Sequence, residues 1–244
     1  MKLLCVTILL LWKKDIRNRN ILLVYYLIPL GFWAFMGAVF TAINPAAAET
    51  LTSMLTVLSV STGALLGVPV SIAEFMAPTV QKAYKAGGIP MGVLLAGNIV
   101  SAFLHISLVA VIIYFLSPLA FKAAYPLNIP VYFISLLLFL IASIALGTLV
   151  GIVVKNQAKI TLICQAVYMP SIMLSGAMFD SKLLPEGIQY AGRALPASWG
   201  YAAMTASDKW MQAITVLSVM TLILAIISII YTRRYLRPAD MVRI

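Results

Sequence analysis

Charges divide this chain into long uncharged apolar stretches, and these constrain its fold more than any other feature. The stretches lie over residues 21–43, 50–73, 91–117, 131–154, 160–177 and 211–232. A helix rises ~1.5 Å per residue, so about 20 apolar residues cross the ~30 Å hydrocarbon core of a bilayer. In lipid the backbone must bond to itself, which leaves helices or closed barrels. The runs are continuously apolar rather than alternating, and this excludes a barrel. Of the 244 residues, 63% are hydrophobic and 10% charged, and mean hydropathy is +1.04. Soluble domains average about 45–50% apolar and about 25% charged residues. A water-soluble domain is therefore excluded, and so is disorder, which requires low hydrophobicity. The expected fold is all-α: one polytopic domain over residues 1–244 with six transmembrane helices.

Six crossings place both termini on one side. On that side fall Lys2, Lys13, Lys14, Arg17 and Arg19, then Lys82 and Lys85, then Lys155 and Lys159, then Arg233, Arg234, Arg237 and Arg243. The other side holds only Lys122, Lys182, Arg193 and Lys209. Cytoplasmic loops carry the excess of Lys and Arg, so both termini are expected in the cytoplasm. The net charge of +10 reads the same way, as basic loops of a membrane protein rather than a nucleic-acid surface.

Lys2 followed by Leu3–Trp12 has the outline of a signal peptide, but Lys13-Lys14-Asp15-Ile16-Arg17-Asn18-Arg19 stands where a small-residue cleavage site belongs. The chain is read as mature from its first residue. The cation cluster cannot sit in hydrocarbon, so residues 1–20 are expected to form an interfacial helix before span one.

Several chemistries lack their residues. No G-x-x-x-x-G-K-[ST] occurs, so ATP is not bound through a P-loop. Glu49 and Glu74 lie at span ends, and Asp180, Glu186 and Asp208 lie outside the spans, so no intramembrane acid for ion coupling is expected. Cys5, Cys164 and His105 are too few for a metal site or a disulfide framework. His105 has no evident carboxylate partner in the sequence and reads as a helix–helix hydrogen bond. No nucleophile–base pair is present, so the chain is not expected to be an enzyme.

Span two is unusually polar, with Thr50, Thr52, Ser53, Thr56, Ser59, Ser61, Thr62 and Ser71. Thr56, Ser59 and Thr62 are candidates for lining a translocation pathway. Gly63-x-x-x-Gly67, and Gly147-x-x-x-Gly151 in span four, suit close packing of helices, either within the chain or between chains. Pro29, Pro69 and Pro170 lie inside spans and are expected to kink them. After span two, residues 74–88 read as a short cytoplasmic helix started by Pro78 and ended by Gly87-Gly88. Residues 178–205 are too apolar for a solvated loop. Leu184, Ile188, Ala191 and Leu195 recur at helical spacing, and short helices dipping into the outer leaflet are expected, with Trp199 and Tyr201 at the headgroups.

This order of elements resembles the membrane subunit (permease) of ABC-2-type ABC transporters over essentially the whole chain. Ser175-Gly176…Phe179…Leu184-Pro185…Ile188-Gln189…Leu195-Pro196…Tyr201 is similar to the family's outer segment. Glu74…Thr79-Val80-Gln81-Lys82 is similar to its coupling-helix stretch, although Pro78 stands where glycine is frequent. Trp12-Lys13-Lys14-Asp15-Ile16-Arg17-Asn18 is similar to its elbow helix. The resemblance implies an exporter subunit in the plasma (inner) membrane of a prokaryote, paired with a second permease subunit, identical or homologous. Separate ABC ATP-binding subunits would carry ATP and Mg, and this chain would bind no cofactor. Glu74, Thr79, Gln81, Lys82, Tyr84 and Lys85 would dock the ATPase. The scarcity of charge within the spans favours an amphipathic substrate such as a drug or a peptide antibiotic. An ATP-independent secondary transporter, and a membrane assembly or immunity protein without transport, are the competing readings.

Overall fold

The computed structural model describes residues 2–44, 48–154, 156–179, 183–205 and 210–235. Among these every regular element is helical. The helices are α1 (Lys2–Arg17), α2 (Arg19–Leu22), α3 (Ile28–Ile43), α4 (Ala48–Thr62), α5 (Val68–Met76), α6 (Pro78–Ala86), α7 (Met91–Phe121), α8 (Ile129–Val153), α9 (Gln157–Met173), α10 (Glu186–Arg193), α11 (Pro196–Met204) and α12 (Trp210–Tyr235). Lys155, Asp180, Lys182, Asp208, Lys209, Arg237 and Arg243, which entered the charge and topology reading, lie outside the described residues.

Among the described residues five helical stretches are long and apolar enough to cross a membrane: Arg19–Ile43, Ala48–Met76, Met91–Phe121, Ile129–Val153 and Trp210–Arg234. The helix in the region of the expected fifth span, α9, has 17 residues and falls short of that length. Its end is set by a turn. Ser175 Oγ donates to Ile172 O at 2.7 Å and accepts from Ala177 N at 3.1 Å, and Gly176 takes φ +82°. A left-handed residue cannot continue a right-handed helix.

Two of the three span prolines are absorbed as π-helical turns. Leu23–Leu27 precedes Pro29, and Gly63–Gly67 precedes Pro69. Proline removes one N–H and crowds the preceding carbonyl, and widening the upstream turn relieves both effects. The first stretch therefore runs α2, π turn, α3, and the second runs α4, π turn, α5.

The second stretch is the shaft around which the others pack. Every residue from Leu51 to Thr62 is buried. Val57, Val60, Ala64, Val68 and Ile72 form the spine of the main core cluster, together with Ala102 and Ile106 of α7 and Tyr132, Leu136 and Phe139 of α8. The glycine pairs serve packing within the chain. A Cβ at Gly147 would collide with the Ala64 carbonyl oxygen, and one at Gly151 would lie 3.0 Å from Pro69. Gly63 receives Ile106 and Gly67 receives Tyr25.

Near the last span, α10 and α11 dock onto the turn after α9. Ser198 Oγ lies 2.6 Å from Gly192 O and 3.2 Å from Leu174 O, and Trp199 Nε1 donates to Arg193 O at 2.7 Å. Of the apolar stripe expected here, Ile188 and Ala191 are exposed and Leu184 and Leu195 half-buried, so it faces away from the core.

Candidate functional site

The short helix α6 sits between two long ones. Pro78 opens it, and Gly88, at φ +70°, lies just past its end. Ile89 N donates to Tyr84 O at 3.0 Å, the 6→1 bond of a Schellman closure. The side chains expected to dock a partner divide into two groups. Thr79 and Lys82 are exposed. Gln81 and Tyr84 face back toward α5: Gln81 Nε2 donates to Met76 O at 3.0 Å, and the Tyr84 ring lies 6.3 Å from the Phe75 ring. Glu74 is half-buried at the end of α5. Lys85 is on the helix, but its side chain lies outside the described residues.

Thr56, Ser59 and Thr62, expected to line a pathway, are buried and bonded within the chain, whereas the buried Ser61 Oγ has no partner among the described residues. Thr56 Oγ1 donates to Thr52 O at 2.8 Å, which uses its only hydrogen, so the Tyr132 hydroxyl 2.7 Å away donates to Thr56. Thr62 repeats the pattern, donating to Leu58 O at 2.8 Å and accepting from the Tyr168 hydroxyl at 3.0 Å. Ser59 Oγ reaches Pro29 O at 3.4 Å. These three residues knit the shaft to α3, α8 and α9 in this conformation.

The sequence reading missed a buried acid on the N-terminal helix, packed against α7. Asp15 belongs to the cation cluster of α1, yet it is only 2% exposed. Its position follows from helical register: Thr7, Leu11 and Asp15 recur every four residues, and all three are buried. That register is the signal available in the sequence. A Cβ at Gly97 of α7 would meet both Leu11 and Thr7, so a small residue there lets α1 lie close. Asp15 Oδ2 accepts from Ser101 Oγ at 2.6 Å and lies 3.9 Å from His105 Nε2. His105, which sequence left without a carboxylate, therefore faces one. Its Nδ1 is 2.6 Å from the Tyr26 hydroxyl, a hydrogen bond between helices. Trp12 stacks on the imidazole with ring centroids 4.1 Å apart and planes 3° from parallel. Burial pushes the Asp15 carboxyl above the ordinary carboxylate range. The Ser101 hydrogen bond and the Lys14 ammonium pull it back less strongly, and Glu74 adds to the rise.

Among the described residues no cluster of His, Cys, Asp or Glu is suited to a metal ion. The family model for the ABC-2 type transporter matches residues 4–209. The chain belongs to the ABC-2 type transporter family. No curated protein matches it. An ABC-2 membrane domain is the permease component of its transporter and not a catalytic domain.

Proposed function

We propose that this ABC-2 permease is one membrane half of an ATP-driven exporter. Two such subunits, identical or homologous, form the pathway, and separate ATP-binding subunits dock beneath them. The observation that carries this reading is α6, a nine-residue helix between two spans that presents Thr79 and Lys82 outward while Gln81 and Tyr84 grip α5. Force applied to its outer face is passed to the shaft of the bundle. Energy for reorientation comes from ATP bound by the partner, which binds the two conformations differently.

In this reading α1 is the elbow helix and α9 crosses as the fifth of six spans, at about 26 Å of helix plus the turn that follows it. Both termini are cytoplasmic, on the side rich in Lys and Arg, and the membrane is the prokaryotic inner membrane. Thr56, Ser59 and Thr62 reach the pathway only when α3, α8 or α9 shifts, because their hydroxyls are bonded to those helices. The substrate is amphipathic, a drug or a peptide antibiotic, since few charged side chains lie within the spans.

Gentle detergent extraction of the tagged chain from its native membrane, with mass spectrometry of stoichiometric partners, tests the reading. A P-loop ATPase is the expected partner. An intact dimer of the chain that reproducibly lacks any ATPase overturns it in favour of an ATP-independent carrier or an assembly or immunity protein.

A further inference from the structure

We infer that Asp15, His105 and Tyr26 form a proton-binding site, in which one exchangeable proton from solvent is held between the N-terminal helix and the bundle. Asp15 and His105 are both essentially buried, and they come from α1 and α7. Among the described residues Asp15 Oδ1 has no hydrogen-bond partner, although Oδ2 accepts from Ser101. A buried carboxylate with a bare oxygen is costly as an anion, and a proton is the smallest group that removes the cost. The imidazole offers a second place for the same proton. With Nδ1 accepting from the Tyr26 hydroxyl, the hydrogen of the neutral ring sits on Nε2, toward Asp15. The incoming proton then rests on the Asp15 carboxyl, or on Nδ1 with Tyr26 turned to accept. Either placement leaves the pair without net charge, so the site titrates as a unit.

The surroundings suit one proton and no second. The Lys14 ammonium on α1 favours the charged carboxylate, and Glu74 of α5 disfavours it. Tyr25, from the π turn, also stacks on the imidazole, with centroids 5.7 Å apart and planes 12° from parallel. Proton uptake cancels a buried charge at the one acid of α1 and seats that helix more firmly. This inference stands on the Asp15–His105 geometry alone and holds whichever partner drives transport.

Trp12 supplies the readout, because it stacks on His105. The full chain carrying W33F, W199F and W210F, reconstituted in lipid nanodiscs, is titrated from about pH 4 to about pH 9, which covers the ordinary carboxylate and imidazole ranges. The expected result is a single step in Trp12 emission that Asp15→Asn abolishes and His105→Gln displaces by about one pH unit or more. Ser101→Ala removes a hydrogen bond to the charged carboxylate, so it moves the midpoint to higher pH, and this milder variant keeps the test decisive if Asp15→Asn does not fold. A flat profile before any site substitution overturns the assignment. So does a step that survives Asp15→Asn, or a midpoint unmoved in both His105→Gln and Ser101→Ala.

Discussion

The Lys14 ammonium lies 4.2 Å from the centroid of the Phe75 ring, so the N-terminal helix is tied to the end of the central shaft. Phe75, fully enclosed, also packs on Tyr84, so α1, α5 and α6 meet at one aromatic side chain. Truncation by Phe75→Ala is expected to cost about 3–5 kcal/mol, whereas Lys14→Met forfeits a cation–ring attraction of about 0.5–1 kcal/mol and the pull of its charge on Asp15, but no packing volume. Thermal unfolding of the two variants in the same detergent measures the gap, and equal losses would contradict it.

Lys82 is exposed on α6, one turn before Lys85. Reversing both charges is expected to separate ATP hydrolysis from transport while the permease still folds. Coupling free energies of about 1–3 kcal/mol correspond to roughly 5- to 150-fold effects, so transport per ATP should fall within that range. Vesicle uptake measured beside ATPase activity decides it, and unchanged transport would remove α6 from the docking surface.

Thr56 and Tyr132 share a donor–acceptor pair whose direction is set by the Thr52 carbonyl. Tyr132→Phe leaves Thr56 bonded to Thr52 and should cost about 0.5–1.5 kcal/mol. Thr56→Val strands a buried phenol and should cost about 1–3 kcal/mol. In the double variant the costs should add to less than their sum, because no phenol is then left unpaired. A strictly additive cycle would mean that the two hydroxyls do not interact.

Gly147→Ala places a methyl group against the Ala64 carbonyl and is expected to destabilise by about 1–3 kcal/mol, since backbone cannot give way as a flexible side chain can. Gly187 in α10 has open space at the same position. There alanine should be neutral or stabilising by up to about 1 kcal/mol through helix propensity. Paired melting curves test the contrast directly.

The Asp15 carboxyl is pushed up by burial, so the folded chain holds its proton at a pH where the unfolded chain, near 3.8, has already lost it. Stability contributed by this group is therefore present at low pH and is lost as pH rises through the folded value. The melting temperature should decline across that interval, and Asp15→Asn should flatten the decline. A slope that is the same in both proteins would show that other groups set it.

The all-helical class was legible from the sequence because hydrocarbon imposes a crude rule, and uncharged runs of about 20 residues announce it, while the family rested on the resemblance of the Ser175–Tyr201 and Glu74–Lys82 segments. Span two read as polar, but the destination of its hydroxyls did not, since Tyr132 and Tyr168 lie more than seventy residues away. The glycine pairs fitted packing within a chain or between chains equally well until Ala64 and Pro69 were seen against them. Asp15 misled because its neighbours in sequence are cations, while its neighbours in space are Ser101 and His105. The end of α9 was not legible because apolar residues continue past Met173, and the left-handed Gly176 marks where the helix stops.

The π turns at Leu23–Leu27 and Gly63–Gly67 touch one another, with the Tyr25 ring over Gly67. Each amounts to one residue inserted into an otherwise regular helix. At 3.6 residues per turn, one extra residue rotates everything beyond it by about 100°. The segments that carry the N-terminal helix and α6, Arg19–Leu22 and Val68–Met76, are thus out of phase with α3 and α4 beyond the turns. A helical wheel drawn straight through either span assigns the residues on one side of its turn to the wrong face. Because the two faults lie side by side, spans one and two change register together where they touch.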